Sequence, residues 1–197
     1  KRPRRGWVEC NAAEIAYACR KVMERIAAEA ASRSLTIAAV GMAFQRSTFL
    51  FWGKDDGEPK APAMSWQDSR ATELVKEMAH ESADIQQLTG IPLTGHFGGP
   101  KFLHTVKSND VINNGVKKGT LFFGPLSAFV AHRLTGSSNI DQSIAGRSLL
   151  MNLSTLAWDD HLLDLFEVMK NCLPHIVPTC HNYGTITIDG NEIPLLC

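Results

Sequence analysis

Apolar residues recur at helical spacing over residues 11–31. Ile15, Cys19, Val22, Met23, Ile26, Ala27 and Ala30 follow the i, i+3, i+4 rule, while Arg20, Lys21, Glu24 and Glu29 fall outside the stripe. Asn11 is placed to cap this helix, with Glu14 three residues on, close to a capping box. Residues 35–44 are apolar at nearly every position, which predicts a strand buried on both faces in a sheet with helices on each side. That run stops at Gln45-Arg46-Ser47-Thr48 and resumes at once. Residues 48–52 and 61–66 predict two further strands, and Asp56-Gly57 between them is a turn in which Gly supplies positive φ.

The second half alternates differently. Residues 69–79 predict a helix with Leu74, Val75 and Met78 on one face and Asp68 or Ser69 as cap. Gly98-Gly99-Pro100 opens a helix over 101–106, since Pro suits a first helical turn. A short strand at 121–123 precedes a helix over 126–134 closed by Gly136. Trp158-Asp159-Asp160 caps a helix running to 168, and a late strand at 185–188 turns at Asp189-Gly190. There is no internal repeat, low-complexity segment or linker. Helix, strands, then mostly helices predicts one α/β or α+β domain.

Composition narrows the class. The 197 residues are 44% hydrophobic and 20% charged, which fits a globular domain with a real core. Lys+Arg 20 balances Asp+Glu 20, so no nucleic-acid partner is expected. The cluster Lys1-Arg2-Pro3-Arg4-Arg5 reads as a solvated tail. No apolar run approaches the roughly 18 residues of a membrane span, so no membrane partner is expected either. Cys10, Cys19, Cys172, Cys180 and Cys197 are odd in number with no CxxC, and no signal peptide is visible. Free thiols in a reducing cytoplasm follow.

The common self-contained cradles and triads (Walker A, GxGxxG after a strand, HExxH, GxSxG) do not occur. Cys172, His175, Cys180 and His181 lie within ten residues, but their spacing fits no usual zinc loop, and no metal site is expected. The polar residues that interrupt apolar segments carry more. Gln45 and Arg46 end one predicted strand; Gln67, Asp68 and Arg70 follow Trp66 at the end of another. His96 lies between Gly95 and Phe97, and Asp141 follows Asn139-Ile140. In open α/β sheets ligands bind beyond the strand ends. Donors and acceptors beside a flat Trp face suit a small polyhydroxy ligand. An ion pair of Arg46 with Asp68 that merely ties two strand ends together is the alternative.

Several segments, in order, resemble the FGGY carbohydrate kinases, in particular their glycerol-kinase-like branch: "GWVECNAAEI", "VGMAFQRSTFLFW", "APAMSWQDSRATELVKEM", "LTGIPLTGHFGGPKFLH", and the stretch from "LFFGPLSAFVAHRLTG" through "LPHIVPTCHNYGTI". The resemblance implies a ribonuclease-H-like, actin-like fold of two domains around a cleft. It implies transfer of the γ-phosphoryl of ATP, with Mg²⁺, to a hydroxyl of a sugar or polyol. By the same resemblance Gln45, Arg46, Trp66, Asp68 and His96 are expected to bind substrate, supported by Ser47, Gln67, Arg70 and Asp141. Three departures stand out. Ser47 occupies a position that is usually Glu, His96 one that carries an aromatic hydroxyl, and His104 one that is usually Trp. A site built to hydrogen-bond a hydroxyl discriminates steeply when a partner is lost, so these departures count against glycerol itself.

The resemblance also sets the expected extent. It implies that residues 1–197 form part of an N-terminal, sugar-binding lobe, a mixed sheet flanked by helices that lacks its first strands. The phosphate-binding hairpin, the catalytic Asp and the ATP-binding second domain are expected to be absent. ATP and Mg²⁺ would then act in the intact enzyme, with none bound to this chain, which alone would be inactive. Self-association through the 35–44 strand is a further expectation. The alternatives are a non-catalytic polyol-binding or protein-interaction module, and an actin-like phosphotransferase lobe with a protein substrate.

Overall fold

A computed structural model describes residues 1–196; Cys197, expected as a free thiol, lies outside them. In chain order, the first half holds β1 (Glu9–Cys10), α1 (Ala12–Ser32), β2 (Val40–Gly41), β3 (Phe49–Gly53), β4 (Ala63–Met64), α2 (Thr72–Glu77), α3 (Ser82–Thr89) and α4 (Gly98–Ser108). There follow α5 (Asp110–Lys117), β5 (Leu121–Pro125), α6 (Leu126–Thr135), β6 (Asn139–Asp141), α7 (Gln142–Ala145), β7 (Met151–Asn152) and β8 (Ala157–Trp158). The last elements are α8 (Asp160–Leu165), β9 (His175–Val177), β10 (Asn182–Ile188) and β11 (Asn191–Leu196).

The architecture grows around β3. Its five residues are all buried, because both faces of the antiparallel sheet β1-β4-β3-β5 are covered. On one face Phe49 and Phe51 pack with Phe123 of β5 and with Phe102 of α4; Phe166, just past α8, lies in the same cluster. On the other, Leu50 and Trp52 meet Ala12 and Ala16 of α1 and Phe129 of α6. Alternate side chains of one strand thus serve two cores. Trp52 is satisfied within its core, since its Nε1–H donates to Nδ1 of His132 at 3.0 Å.

Local signals in the sequence explain most boundaries. Asn11 accepts from the N–H groups of Ala13 and Glu14 at 3.1 and 3.3 Å, and its amide donates to Glu14, so the expected cap forms. Asp159 caps α8 by accepting from Leu162 N–H at 3.1 Å. The β10–β11 hairpin turns at Asp189 and Gly190, both at positive φ, the geometry a tight hairpin requires. At the start of α4 the backbone comes close to its neighbours. A Cβ on Gly99 would lie 2.6 Å from Phe166, and one on Gly98 would lie 2.9 Å from Phe49.

Two expectations need correction. Residues 35–44 are not a strand buried on both faces. Only Val40–Gly41 is extended in a ladder, parallel to Leu195 and Leu196, and none of the ten residues is buried. An apolar run becomes a central strand only with neighbours on both edges. In the sheet β10-β11-β2 this strand is an edge. The helix expected over 69–79 begins only at Thr72. Of the two expected caps, Asp68 spends its carboxylate on Val8 N–H and Arg70, Ser69 donates its hydroxyl to the Gly6 carbonyl, and Ala71 takes the cap position without a side-chain bond.

Candidate functional site

The turn between β2 and β3 sets the site. Ser47 sits at φ 64, left-handed and uncommon for a non-glycine residue, and this bends the chain so that Gln45 and Arg46 lie exposed before β3 starts. Thr48 is buried beside them. Its hydroxyl oxygen accepts from the Gln45 amide at 3.0 Å and from Trp66 N–H at 3.1 Å. One hydroxyl therefore joins the lead-in to β3 to the exit of β4.

Lys101 of α4 ties the same two segments from beneath. Its side chain is fully buried, and Nζ donates to the Ser47 carbonyl at 2.9 Å and the Ser65 carbonyl at 2.7 Å. Burial pushes its pKa down to about 7; the Asp68 carboxylate opposes that shift and the Arg70 guanidinium adds to it. An amine and an ammonium can both donate to two carbonyls, so the tie survives either protonation state.

A concavity of about 430 Å³ opens above this tie. Gln45, Arg46 and Ser47 line one side, and Trp66 and Gln67 a second. Thr94, His96, Phe97 and Arg147 complete it. Trp66 is 50% exposed, a flat apolar face turned outward. The His96 ring is held by Nδ1 at 3.2 Å from the Trp66 carbonyl, which assigns the proton to Nδ1 and leaves Nε2 free to accept. Arg147 stands with its guanidinium 5.2 Å from the Phe97 ring centre.

Six of the nine site residues expected from sequence converge here: Gln45, Arg46, Ser47, Trp66, Gln67 and His96. Asp68, Arg70 and Asp141 do not. Asp68 is fully buried, accepting from Val8 N–H at 2.6 Å and from Arg70 Nε and Nη2 at 2.9 and 2.8 Å. Burial works to raise the Asp68 pKa, but the Arg70 guanidinium and the two backbone donors outweigh it and hold the carboxyl below the usual range. Arg70 also reaches Glu9 at 2.8 Å and stacks 3.8 Å over Trp7, so this cluster locks the N-terminal segment onto the sheet. The alternative pairing of Arg46 with Asp68 is not found. Arg46 has no hydrogen-bond or ion-pair partner among the described residues. Asp141 is buried and caps α7, accepting from Ser143 and Ile144 N–H at 2.8 and 3.3 Å, and α7 leads directly to Arg147.

Lys101 and Arg147 went unread in the sequence. Both carried the signal that marked Arg46, a charge inside an apolar stretch: "GGPKFL" and "IAGRSLL". Cys172 is buried, its thiol pushed up to about 12 by that burial, while Cys180 is exposed. No group of three or more His, Cys, Asp or Glu gathers in metal-binding geometry among the described residues.

The sequence matches the FGGY family of carbohydrate kinases, N-terminal domain, over residues 1–193. A glycerol kinase of Leifsonia xyli subsp. xyli is 35% identical over 98% of this chain and 40% of its own length. Another, from Azorhizobium caulinodans, is 37% identical over 93% of this chain and 38% of its own. Among solved structures, Plasmodium falciparum glycerol kinase with ADP superposes with a TM-score of 0.92 at 28% identity, covering the whole chain and 41% of that protein. Xylulose kinase from Rhodospirillum rubrum shares the fold at 17% identity with a TM-score of 0.86. The chain thus spans about two-fifths of the length of these relatives. Mixed sheets with flanking helices match the actin-like, ribonuclease-H-like lobe of sugar kinases. The chain belongs to the FGGY family of carbohydrate kinases, matching its N-terminal domain.

Proposed function

We propose that the concavity is the acceptor site of an ATP-dependent sugar or polyol kinase, with this chain supplying the sugar-side wall of the cleft. One observation carries the reading. An unpartnered guanidinium in the turn before β3, Arg46, shares a concavity of about 430 Å³ with an exposed Trp66 face and a ring-fixed His96. The planar fork of Arg46 can donate to two adjacent hydroxyls. Trp66 offers apolar surface to the C–H side of a sugar, and His96 Nε2 can accept from a third hydroxyl.

The residues here do not fit a nucleotide triphosphate with Mg²⁺. The glycine pair opening α4 is buried against Phe49 and Phe166, and Gly99 N–H already donates to the Ser148 carbonyl at 2.6 Å, so it forms no phosphate cradle. ATP and Mg²⁺ are proposed to be held outside residues 1–197, in a second domain for which this lobe is the N-terminal partner. Free Cys10, Cys19, Cys172 and Cys180 support a cytoplasmic setting. No helix of the described residues is long and apolar enough to cross a membrane.

The test is an ATP-dependent phosphorylation assay over a panel of sugars and polyols, with the protein as its cells make it. Trp66→Ala should raise KM for the acceptor and leave that for ATP nearly unchanged. Acceptor binding without a phosphorylated product would instead favour a non-catalytic binding module. An unchanged acceptor KM in Trp66→Ala would remove the site from this concavity.

A further inference from the structure

Arg46 and Trp66 sit on two segments that little backbone joins. Among the described residues the β3–β4 ladder is a single pair, Phe49 with Met64. One residue nearer the site, the Thr48 carbonyl accepts from Leu126 N–H of α6 at 2.9 Å rather than from β4. From there on, side chains span the gap. Thr48 Oγ1 accepts from the Gln45 amide at 3.0 Å on one side and from Trp66 N–H at 3.1 Å on the other. Lys101 Nζ donates to the Ser47 carbonyl at 2.9 Å and to the Ser65 carbonyl at 2.7 Å. Each wall is therefore held twice by the same two side chains. Gln45 and Ser47 flank Arg46, one bonded to Thr48 and the other to Lys101. Trp66 is bonded to Thr48 through its own N–H and to Lys101 through the carbonyl before it.

Thr48 and Lys101 are both 0% exposed, and neither lines the concavity, so they act from beneath it. Burying an amine costs free energy, and a longer ladder would join β3 to β4 with backbone groups alone. The side-chain bonds supply what a ladder would not, a fixed gap between a left-handed turn, Ser47 at φ 64, and an exposed ring. We propose that Thr48 and Lys101 are positioning residues of the acceptor site. Together they set the distance and orientation between the Arg46 turn and the Trp66 face, and through these the affinity for a polyhydroxy acceptor. An acceptor that hydrogen-bonds one wall and packs on the other is sensitive to a shift of about 1 Å between them. This inference rests on the reading of the concavity as the acceptor site.

The experiment measures KM for acceptor and for ATP beside thermal melts, on the protein as its cells make it, at a temperature below the melt of every variant. The acceptor is whichever of glycerol, xylitol, glucitol and glucose the wild type phosphorylates with the highest kcat/KM. Lys101→Met removes the donor and keeps an unbranched side chain; Thr48→Val removes the hydroxyl and keeps the branching. Each should raise the acceptor KM about tenfold and leave the ATP KM within about twofold. Thr48→Ser retains the hydroxyl and should stay within about twofold of wild type on both constants. Ile186→Ala, in the β10–β11 core and lining no part of the concavity, should lower the melting temperature and leave both constants unchanged. The Thr48 pair decides the matter where Lys101→Met is too unstable to purify. An unchanged acceptor KM in folded Lys101→Met or Thr48→Val, with Trp66→Ala still raising it, overturns the positioning role and leaves the acceptor site standing. So does a rise in Thr48→Ser equal to that in Thr48→Val, or one in Ile186→Ala equal to that in Lys101→Met. An unchanged acceptor KM in Trp66→Ala, or no phosphorylation of the four acceptors by a protein with a normal melt, overturns both readings.

Discussion

At the scale of single residues, Lys101 does the structural work beneath the concavity. Its Nζ holds the Ser47 and Ser65 carbonyls together; without it Ser65 keeps the Asp68 N–H at 2.9 Å, while the Ser47 carbonyl loses its donor. Lys101→Met should therefore destabilise the fold by about 1–3 kcal/mol near pH 8. The pH dependence has a definite sign. Burial holds the folded-state pKa at about 7, against 10.5 for an ordinary lysine. Between those values the unfolded chain binds more protons, so wild-type stability from this group rises as pH climbs from 7 and is flat below. The gap between wild type and Lys101→Met should widen from pH 7 to pH 9, by at most about 1.4 kcal/mol per unit. Urea melts of both proteins at pH 6, 7.5 and 9 check this, and a gap independent of pH would show that Lys101 keeps an ordinary affinity for its proton.

At the scale of elements, the turn before β3 decides where Arg46 points. Ser47 at φ 64 stores the strain of a left-handed residue, and a β-branched side chain tolerates that geometry least. Ser47→Val should cost about 2 kcal/mol, whereas Ser47→Gly should be neutral or slightly stabilising. Equal melting temperatures for the two variants would contradict the strained turn. What could be read from sequence divides along the same lines. Caps and turns such as Asn11, Asp159 and Asp189-Gly190 are local chemistry, and they fall where the residues place them. The strand expected at 48–52 forms as β3, and its fully apolar "FLFW" is buried on both faces. Residues 35–44 carry the same pattern and remain open, because burial there depends on what lies beside the strand rather than on its own residues. Gln45, Arg46 and Trp66 were legible because polar or flat side chains interrupt apolar runs. Asp68 and Arg70 gave the same signal for a structural reason, and only their hydrogen bonds separate the two.

At the scale of the whole molecule, two features face outward. One is an apolar groove of about 590 Å³ between α1, the 37–44 segment and β11, with Val22 and Ile26 each 57% exposed. Patches of this kind bind apolar probes. The 197-residue chain should take up an environment-sensitive apolar dye, and Val22→Glu with Ile26→Glu should lower that uptake severalfold; no uptake by the wild type would mean that the groove is closed in solution. The other is the acceptor concavity, and the most direct test of it is Arg46→Ala in the protein as its cells make it, with acceptor and ATP constants measured beside a thermal melt. Arg46 ends an apolar segment, has no protein partner and lies beside no phosphate cradle among the described residues. The expected result is an acceptor KM raised about ten- to hundredfold, an ATP KM nearly unchanged, an unaltered melting temperature, and partial recovery in Arg46→Lys. An unchanged acceptor KM in a well-folded Arg46→Ala protein would contradict the assignment of this concavity as the acceptor site.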